Sequence, residues 1–354
     1  MSSPEATTPS LSALPSGWTS QEPTGGDVED LVRLLRRHEK QARGWPGADS
    51  EQVAADVTGR GAATRTHWLV RDSEGTARAW VSCHDRAAGR VLVGVTIDPD
   101  LDADLAEPVA AYCFALAEQI SANIAAERGL AATQMDSGAF EDDDRQDRWL
   151  KAAGFTLVRT WWQMERPVTP EEATDHPEPR EGVAVRRVRR DDAVGLPADE
   201  DLHAVHEILE ESFADHFNNY RETFEEFLTR LRADPGHRWD HWWIAEVDGR
   251  PAGALVGTTV TGRLDAAGNP VPDGSYVEYI GVHSSARGRG VAKALLWAVI
   301  ADAAARGRNR VGLEVDAQSP TGADGLYASL GWKTSYVTES WHKDVAASAE
   351  APSG

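Results

Sequence analysis

Two cysteines in 354 residues, Cys83 and Cys113, exclude a disulfide framework. Both sit among apolar neighbours and read as buried, inert thiols. The first basic residue is Arg33, so the N-terminus lacks the charged region of a signal peptide. Long apolar runs are missing too: a run such as "ALLWAVI" at 294–300 is far too short to span a bilayer. A reducing, cytoplasmic setting without a membrane is the expectation. Positive charge is scarce, with 36 Lys and Arg against 57 Asp and Glu and a formal net charge of −21. Nucleic-acid surfaces need a dense field of Lys and Arg, so the composition argues against a nucleic-acid partner and suits a small neutral or cationic one better.

What is present is globular. Hydrophobic residues make up 41% and charged residues 26%, enough for a sizeable core, and the length allows two ordinary domains. Residues 1–15 and 346–354 are small, polar and aperiodic, and read as disordered tails. "PVTPEEATDHPEPREG", at 167–182, is rich in proline and acid and reads as an interdomain linker, taken as 168–182. The halves on either side repeat one another. "HWLVRDSEG" from His67 matches "HWWIAEVDG" from His241, and "LKAAGFTLVRTWWQM" from Leu150 matches "YASLGWKTSYVTESW" from Tyr327. Two matches in the same order, offset by about half the chain, indicate duplicated domains at 16–167 and 183–345.

In the second half the pattern predicts strands at 183–189, 241–247, 250–261, 275–283 and 310–316. Helices are expected over 200–214, 221–233, 291–306 and 320–329, followed by a final strand pair. The first half repeats this order, with a long helix at about 105–128. Mixed strands and helices give an α/β layered domain. Against the acidic background, "SARGRGVAKALL" at 285–296 places two arginines and two glycines between a strand and a helix with one apolar face. The first N–H groups of a helix have no intrahelical acceptor and carry the positive end of its dipole. Glycine lets a phosphate approach them closely, so the turn is a natural diphosphate cradle. It is no Walker loop, because Val291-Ala292-Lys293 replaces Gly-Lys-Ser/Thr, and Lys293 stands where a dinucleotide fingerprint needs its third glycine.

"VEYIGVHSSARGRGVAKALL" followed by "EVDAQSPTGADGLYASLGW" resembles the GNAT superfamily of N-acetyltransferases. The family's Arg/Gln-x-x-Gly-x-Gly/Ala pattern appears as Arg287, Gly288, Arg289, Gly290, Val291 and Ala292, five residues after a strand ending at Val282. Its downstream partner appears as Leu326, Tyr327, Gly331 and Trp332. The resemblance covers 183–345 well and 16–167 faintly. It implies two tandem GNAT-like domains, each a mixed, mostly antiparallel central sheet flanked by helices. It also implies acetyl-CoA as co-substrate, no metal, and a small-molecule amine as acceptor. The diphosphate would lie on 287–292 and the pantetheine arm beside Ile280, Gly281 and Val282. Glu278, on the same strand face as Ile280 and Val282 by alternation, is the candidate base, and Tyr327 the candidate acid for the departing thiolate. A cofactor-contacting Asn of the family is replaced by Pro320, so a hydroxyl of Ser319 or Thr321 is the candidate substitute.

The first half departs from this plan. Its counterpart of the cradle, "TIDPDLDADLAEP" at 96–108, has neither glycine nor arginine, and its four aspartates would repel a diphosphate. Leu150 stands where Tyr327 stands. The first domain is therefore expected to be degenerate and the second active. Those aspartates lack EF-hand spacing. His203 and His206, with Glu207 and then His216, lack a third ligand at metal-binding spacing and read as a surface or pocket-lining pair. The 13 tryptophans, notably Trp161-Trp162 and Trp242-Trp243, read as core and interface packing. The acceptor pocket is expected at the 200–233 helices, including "ESFADHFNNY". Its ligand stays open among an amino-thiol glycoside precursor, a polyamine, an aminoglycoside and a protein amino terminus. The alternative is a non-catalytic CoA-binding regulator or scaffold.

Overall fold

A computed structural model describes residues 14–86, 90–190, 196–214, 223–233, 237–264, 270–318 and 322–349. The chain forms two compact units: 1–160 with 337–354, and 161–336. In unit 1, β1 (Thr19–Gln21), α1 (Val28–Arg43), α2 (Ser50–Thr58), β2 (Arg65–Arg71), β3 (Ala77–Arg86), β4 (Arg90–Ile97), α3 (Ala103–Glu127), β5 (Ala132–Phe140) and α4 (Asp144–Ala152) follow in order. The sheet order is β1-β2-β3-β4-β5. All its pairings are antiparallel except β4 with β5, which run parallel from Arg90↔Gln134 to Val93↔Ser137. Helix α3 buries Val109, Cys113, Phe114 and Ala117 against Val81, Val93 and Met135. Both thiols are buried, and desolvation pushes Cys83 up to about 12 and Cys113 higher still, as inert cysteines require.

The halves do not end where sequence places them. Strand β6 (Thr156–Pro167) leaves unit 1 at Thr160, and its remaining residues pair antiparallel in unit 2. Unit 2 continues with β7 (Val183–Arg187), α5 (Asp199–Ser212), α6 (Phe224–Ala233), β8 (His237–Val247), β9 (Arg250–Val260), and a short hairpin of β10 (Arg263–Leu264) and β11 (Pro270–Val271). Then come β12 (Gly274–Val282), α7 (Val291–Ala305), β13 (Arg310–Asp316) and α8 (Ala323–Ser329). The last strand, β14 (Lys333–Ala346), is one long strand rather than the expected pair, and from Val337 it belongs to unit 1, where it pairs with β5. Unit 2 has the order β6-β13-β12-β9-β8-β7. Each half thus completes its sheet with the terminal strand of the other, and the expected boundaries at 16–167 and 183–345 differ from the compact units by this exchange. The C-terminal strand also takes in Ala346, counted above in a tail, and the Ala347 and Ser348 amides donate to the Ala131 and Ala122 carbonyls.

The stretch read as a linker is packed on unit 2. Val168 is buried with the α7 core and Ala173 packs against it. A 3₁₀ turn over Pro170–Ala173 is closed by a capping box between Thr169 and Glu172. Arg166 pairs with Glu172 and donates Nε to the Leu330 carbonyl at 2.6 Å. Helix α7 is apolar nearly all round rather than on one face: Val291, Leu295, Leu296, Val299, Ile300 and Ala303 are all buried, because sheet covers one side and the 168–175 strap another. Gly253 of β9 makes room for it, since a Cβ there would stand 2.5 Å from the Val291 side chain. On the opposite face α5 and α6 bury Leu202, Val205, Leu209, Phe227 and Leu231. Adjacent Trp242 and Trp243 fall on opposite faces, as strand alternation requires.

Trp341 lies on β14 at 1% exposure inside the unit 1 core. Trp341→Ala should therefore destabilise unit 1, although 180 residues separate it from that half, by about 3–5 kcal/mol. Denaturant unfolding together with hydrogen exchange at β5 amides is the check, with β8 and β9 amides the ones left protected.

Candidate active site

Parallel pairing of β12 with β13 lasts only from Ser275↔Val311 to Val277↔Leu313. Beyond it β12 stays paired with β9 as far as Val282↔Gly253, so its other backbone edge faces an opening between the parting strands. Glu278 and Glu314 are the next residues on the two sides. At this point β12 carries a bulge: Val277 opposes Gly257 and Tyr279 opposes Val256, leaving Glu278 as the extra residue. Bulges re-aim side chains and twist the strand away from its neighbour. The regular alternation used to align Glu278 with Ile280 and Val282 therefore does not run through it. Val277 and Ile280, three apart, both join the core under α7, while Tyr279 joins the core under α5. The Oε2 of Glu278 is closed off from solvent. At Gly281 a Cβ would meet Ser212 and Leu209 of α5, so Gly281 faces α5 while Ile280 and Val282 pack toward α7.

The opening is lined differently on its two faces. Under α7 lies Tyr327, buried at 7% and edge-on to Trp332 with ring centroids 6.2 Å apart. Its helix α8 stops where Gly331 takes the left-handed conformation, φ 98°. The Trp332 amide bonds back to the Tyr327 carbonyl at 3.1 Å, and Arg166 holds the Leu330 carbonyl. Burial pushes the Tyr327 phenol up to about 12. Its hydroxyl makes no hydrogen bond among the described residues, so it is not the backbone-tied packing residue that its burial alone would suggest. On the other face sits a polar group that sequence reasoning missed. Gln163 of β6 donates to Glu314, and Tyr276 donates to Gln163 at 3.4 Å. Crowding around Glu314 raises its pKa and the Gln163 hydrogen bond opposes the rise. Tyr276 is raised too, first by burial and then by the Glu314, Tyr336 and Glu278 charges. The strand exchange that brings Gln163 here left no local sequence signal.

From Val282 the chain enters a 3₁₀ turn over Ser284–Ala286 and then the glycine-rich turn. Gly288 and Gly290 have φ of 78° and 88°, and Gly290 is the N-cap of α7 without a side-chain cap. Other residues pay roughly 1–2 kcal/mol for that conformation. The Arg289 amide reaches back to Ala286 O, and the first helical bond is Ala294 to Gly290. The N–H groups of Gly288, Gly290, Val291, Ala292 and Lys293 find no acceptor among the described residues. The two arginines part company. Arg289 pairs with Asp248 through Nη1 at 2.8 Å. Arg287 makes no ion pair among the described residues and lies in the field of Glu211, whose carboxylate accepts from the Ser284 amide at 3.3 Å. Ser319, Pro320 and Thr321 lie outside the described residues, as do His216 and the 215–220 part of "ESFADHFNNY". His203 stacks on Phe224 at 3.8 Å and His206 packs edge-on to it, pinning α5 to α6. No cluster of metal-binding side chains occurs among the described residues.

In unit 1 the corresponding strands β4 and β5 also part, after Val93 and Ser137. Protein groups make hydrogen bonds in the segments that follow. Asp98, fully buried, accepts from the Asp100 amide at 3.1 Å and from Arg78 at 2.6 Å. From α4, Gln146 donates to Gly138 O at 3.2 Å and Arg145 to Pro99 O at 2.8 Å. Leu150, the counterpart of Tyr327, is fully buried.

Residues 202–332 match the acetyltransferase (GNAT) family. A mycothiol acetyltransferase of Thermobispora bispora is 35% identical over 188 residues, 51% of this chain; the match spans just over half, 57%, of that relative's length. Among solved structures, a GCN5-related N-acetyltransferase from Sphaerobacter thermophilus superposes with a TM-score of 0.70 at 23% identity, covering 96% of this chain and 99% of that one. A tandem GNAT protein from the clavulanic acid biosynthesis pathway gives 0.66 at 13% identity, with 94% and 99% covered. At these identities the two structures speak to the fold.

Gln163→Leu removes the one hydrogen bond that opposes the rise at Glu314. It should lift the Glu314 carboxyl pKa further, read as a later midpoint in a carbon-detected NMR titration of that side chain.

Proposed function

We propose that this chain, whose residues 202–332 belong to the GNAT acetyltransferase family and whose fold is the tandem GNAT arrangement, transfers an acetyl group from acetyl-CoA to a primary amine of a small molecule, with the chemistry in unit 2. One observation carries the reading: the parting of β12 and β13 opens, at one end, onto a row of unclaimed helix N–H groups. The diphosphate lies on the amides of Gly288, Gly290, Val291 and Ala292, where dipole and donors favour it. Arg287 adds charge, and Arg289 contributes from its pair with Asp248. The pantetheine arm adds to the open edge of β12 beside Ile280, Gly281 and Val282, with Ser319 a further contact.

The thioester then sits where the strands part. A backbone N–H near Val282 polarises its carbonyl. The amine nitrogen bonds to that carbon as the carbon–sulfur bond breaks. The proton of the amine passes to Glu278, and the Tyr327 hydroxyl gives its proton to the leaving sulfur. Tyr327 under α7 and the carboxylates on the other side of the opening suit this division, because acid and base attend different partners. Glu314, steadied by Gln163, provides a polar contact for the acceptor. The similarity to a mycothiol acetyltransferase supports a small-molecule acceptor of that kind. In unit 1 the stretch 96–108 has neither glycine nor arginine and Leu150 stands in place of Tyr327, and we read that unit as unable to bind acetyl-CoA.

Calorimetric titration of acetyl-CoA should give one site per chain. Gly290→Glu should abolish it, because the new side chain meets Arg180 at 3.0 Å and brings a carboxylate onto the cradle. Two sites would refute the assignment of unit 1, and no binding would leave the scaffold alternative. With an acetylated amine in hand, Tyr327→Phe should lower kcat by about 10²-fold or more. A phenol at about 12 stays protonated through ordinary alkaline pH. The wild-type rate should therefore show no alkaline fall below about pH 11 from loss of the acid's proton.

A further inference from the structure

The proline-rich strap that follows β6 ends at the cradle. Arg180, near its end, donates Nη1 to the Gly288 carbonyl at 3.1 Å. Its Cδ stands 3.0 Å from where a Gly290 Cβ would be, and its Nε 3.2 Å. Arg180 thus lies directly against both left-handed glycines of the turn. The rest of its guanidinium is uncommitted among the described residues. The strap is held at both ends: Val168 is buried and Glu172 pairs with Arg166 at one, and at the other the Asp248 amide bonds to the Gly182 carbonyl at 2.9 Å. Asp248 is also the residue that draws Arg289 aside. The second arginine of the motif is therefore neutralised at the turn, while an arginine from a distant stretch of sequence stands over it.

We infer that Arg180 is a further cofactor-binding residue, a strap-borne guanidinium that takes a phosphate of CoA together with Arg287 and the N–H groups of the turn. The inference rests on the acetyl-CoA reading above. A guanidinium can keep one N–H on the Gly288 carbonyl and present others to phosphate oxygens, since its donors form a planar fork. The carbonyl bond thereby fixes the side chain before the ligand arrives, which reduces the rotamer entropy lost on binding. The phosphate concerned is either the diphosphate or the 3′-phosphate on the ribose, and both share the chemistry.

The test is titration of acetyl-CoA and of 3′-dephospho-CoA into the full chain, wild type and Arg180→Ala, with thermal midpoints recorded alongside. The expected result is a loss of about tenfold or more in acetyl-CoA affinity at an unchanged midpoint, as for one charged hydrogen bond, with a shallower salt dependence. If the variant loses as much with 3′-dephospho-CoA, the contact is to the diphosphate; if it loses nothing there, the contact is to the 3′-phosphate. Unchanged affinity for both ligands overturns the assignment. So does tighter binding by the variant, which would make Arg180 an obstruction. Failure of the wild type to bind acetyl-CoA would instead bring down the functional reading itself.

Discussion

Two parallel strands that pair for three residues and then part leave polar backbone facing a gap. Unmet N–H and C=O groups are costly when shut away from water, so such an opening needs either a ligand or a protein plug. Unit 2 keeps β12 in place by pairing its other edge with β9 to the end, and uses the extra residue at Glu278 to increase the local twist. The close seat of α7 over Gly253 then sets the helix N-terminus at the far end of the same strand. Strand edge, turn and helix dipole become one continuous surface of donors. Every residue assigned a role in unit 2 takes its position from that arrangement.

Unit 1 shows the other solution to the same constraint. Its strands part in the equivalent place, yet β4 runs without a bulge against β3. Beyond that place, Gln146 and Arg145 donate to the Gly138 and Pro99 carbonyls, and the buried Asp98 is held by Arg78, Arg37 and the Asp100 amide. The acidic loop at 96–108 is partly internal: Asp98 is a structural anion, bound by Arg78 and lying beside Arg37, while Asp102 and Asp104 remain on the surface.

The sequence disclosed what depends on local pattern. The strand before the cradle, the positive-φ glycines, the helix of Tyr327 and the duplication are all readable because backbone chemistry demands particular residues at fixed spacing. Non-local features were not readable. The bulge at Glu278 is a matter of how β12 registers against β9, and nothing in "YVEYIGV" marks it. The diversion of Arg289 depends on Asp248, itself at a positive φ of 51° after a hairpin strand. The proline-rich stretch looked like a linker because proline and acid suit extended chain; its few apolar residues, Val168 and Ala173, are too sparse to register as a packed face. The exchange of β6 and β14 leaves each strand with the alternation it would have in either unit.

That exchange ties the fold of each half to sequence in the other. Unit 2 receives from β6 both Gln163, beside Glu314, and Arg166, which holds the turn after Tyr327. Unit 1 receives Trp341 and Val345 from β14. Unit 1 is therefore assembled from two lengths of chain, 1–160 and 337–354, while unit 2 is continuous, and each sheet includes residues of the strand that closes the opposite half of the sequence. A β-sheet deprived of such a strand exposes unpaired edges and an open core. A difference in what one half binds is tolerable under these conditions; loss of its fold is not. Different linings of the two gaps and a repeated fold are then no conflict: the polar groups beside each gap differ, while β6 and β14 each carry apolar residues into a core, Met164 in one and Trp341 and Val345 in the other.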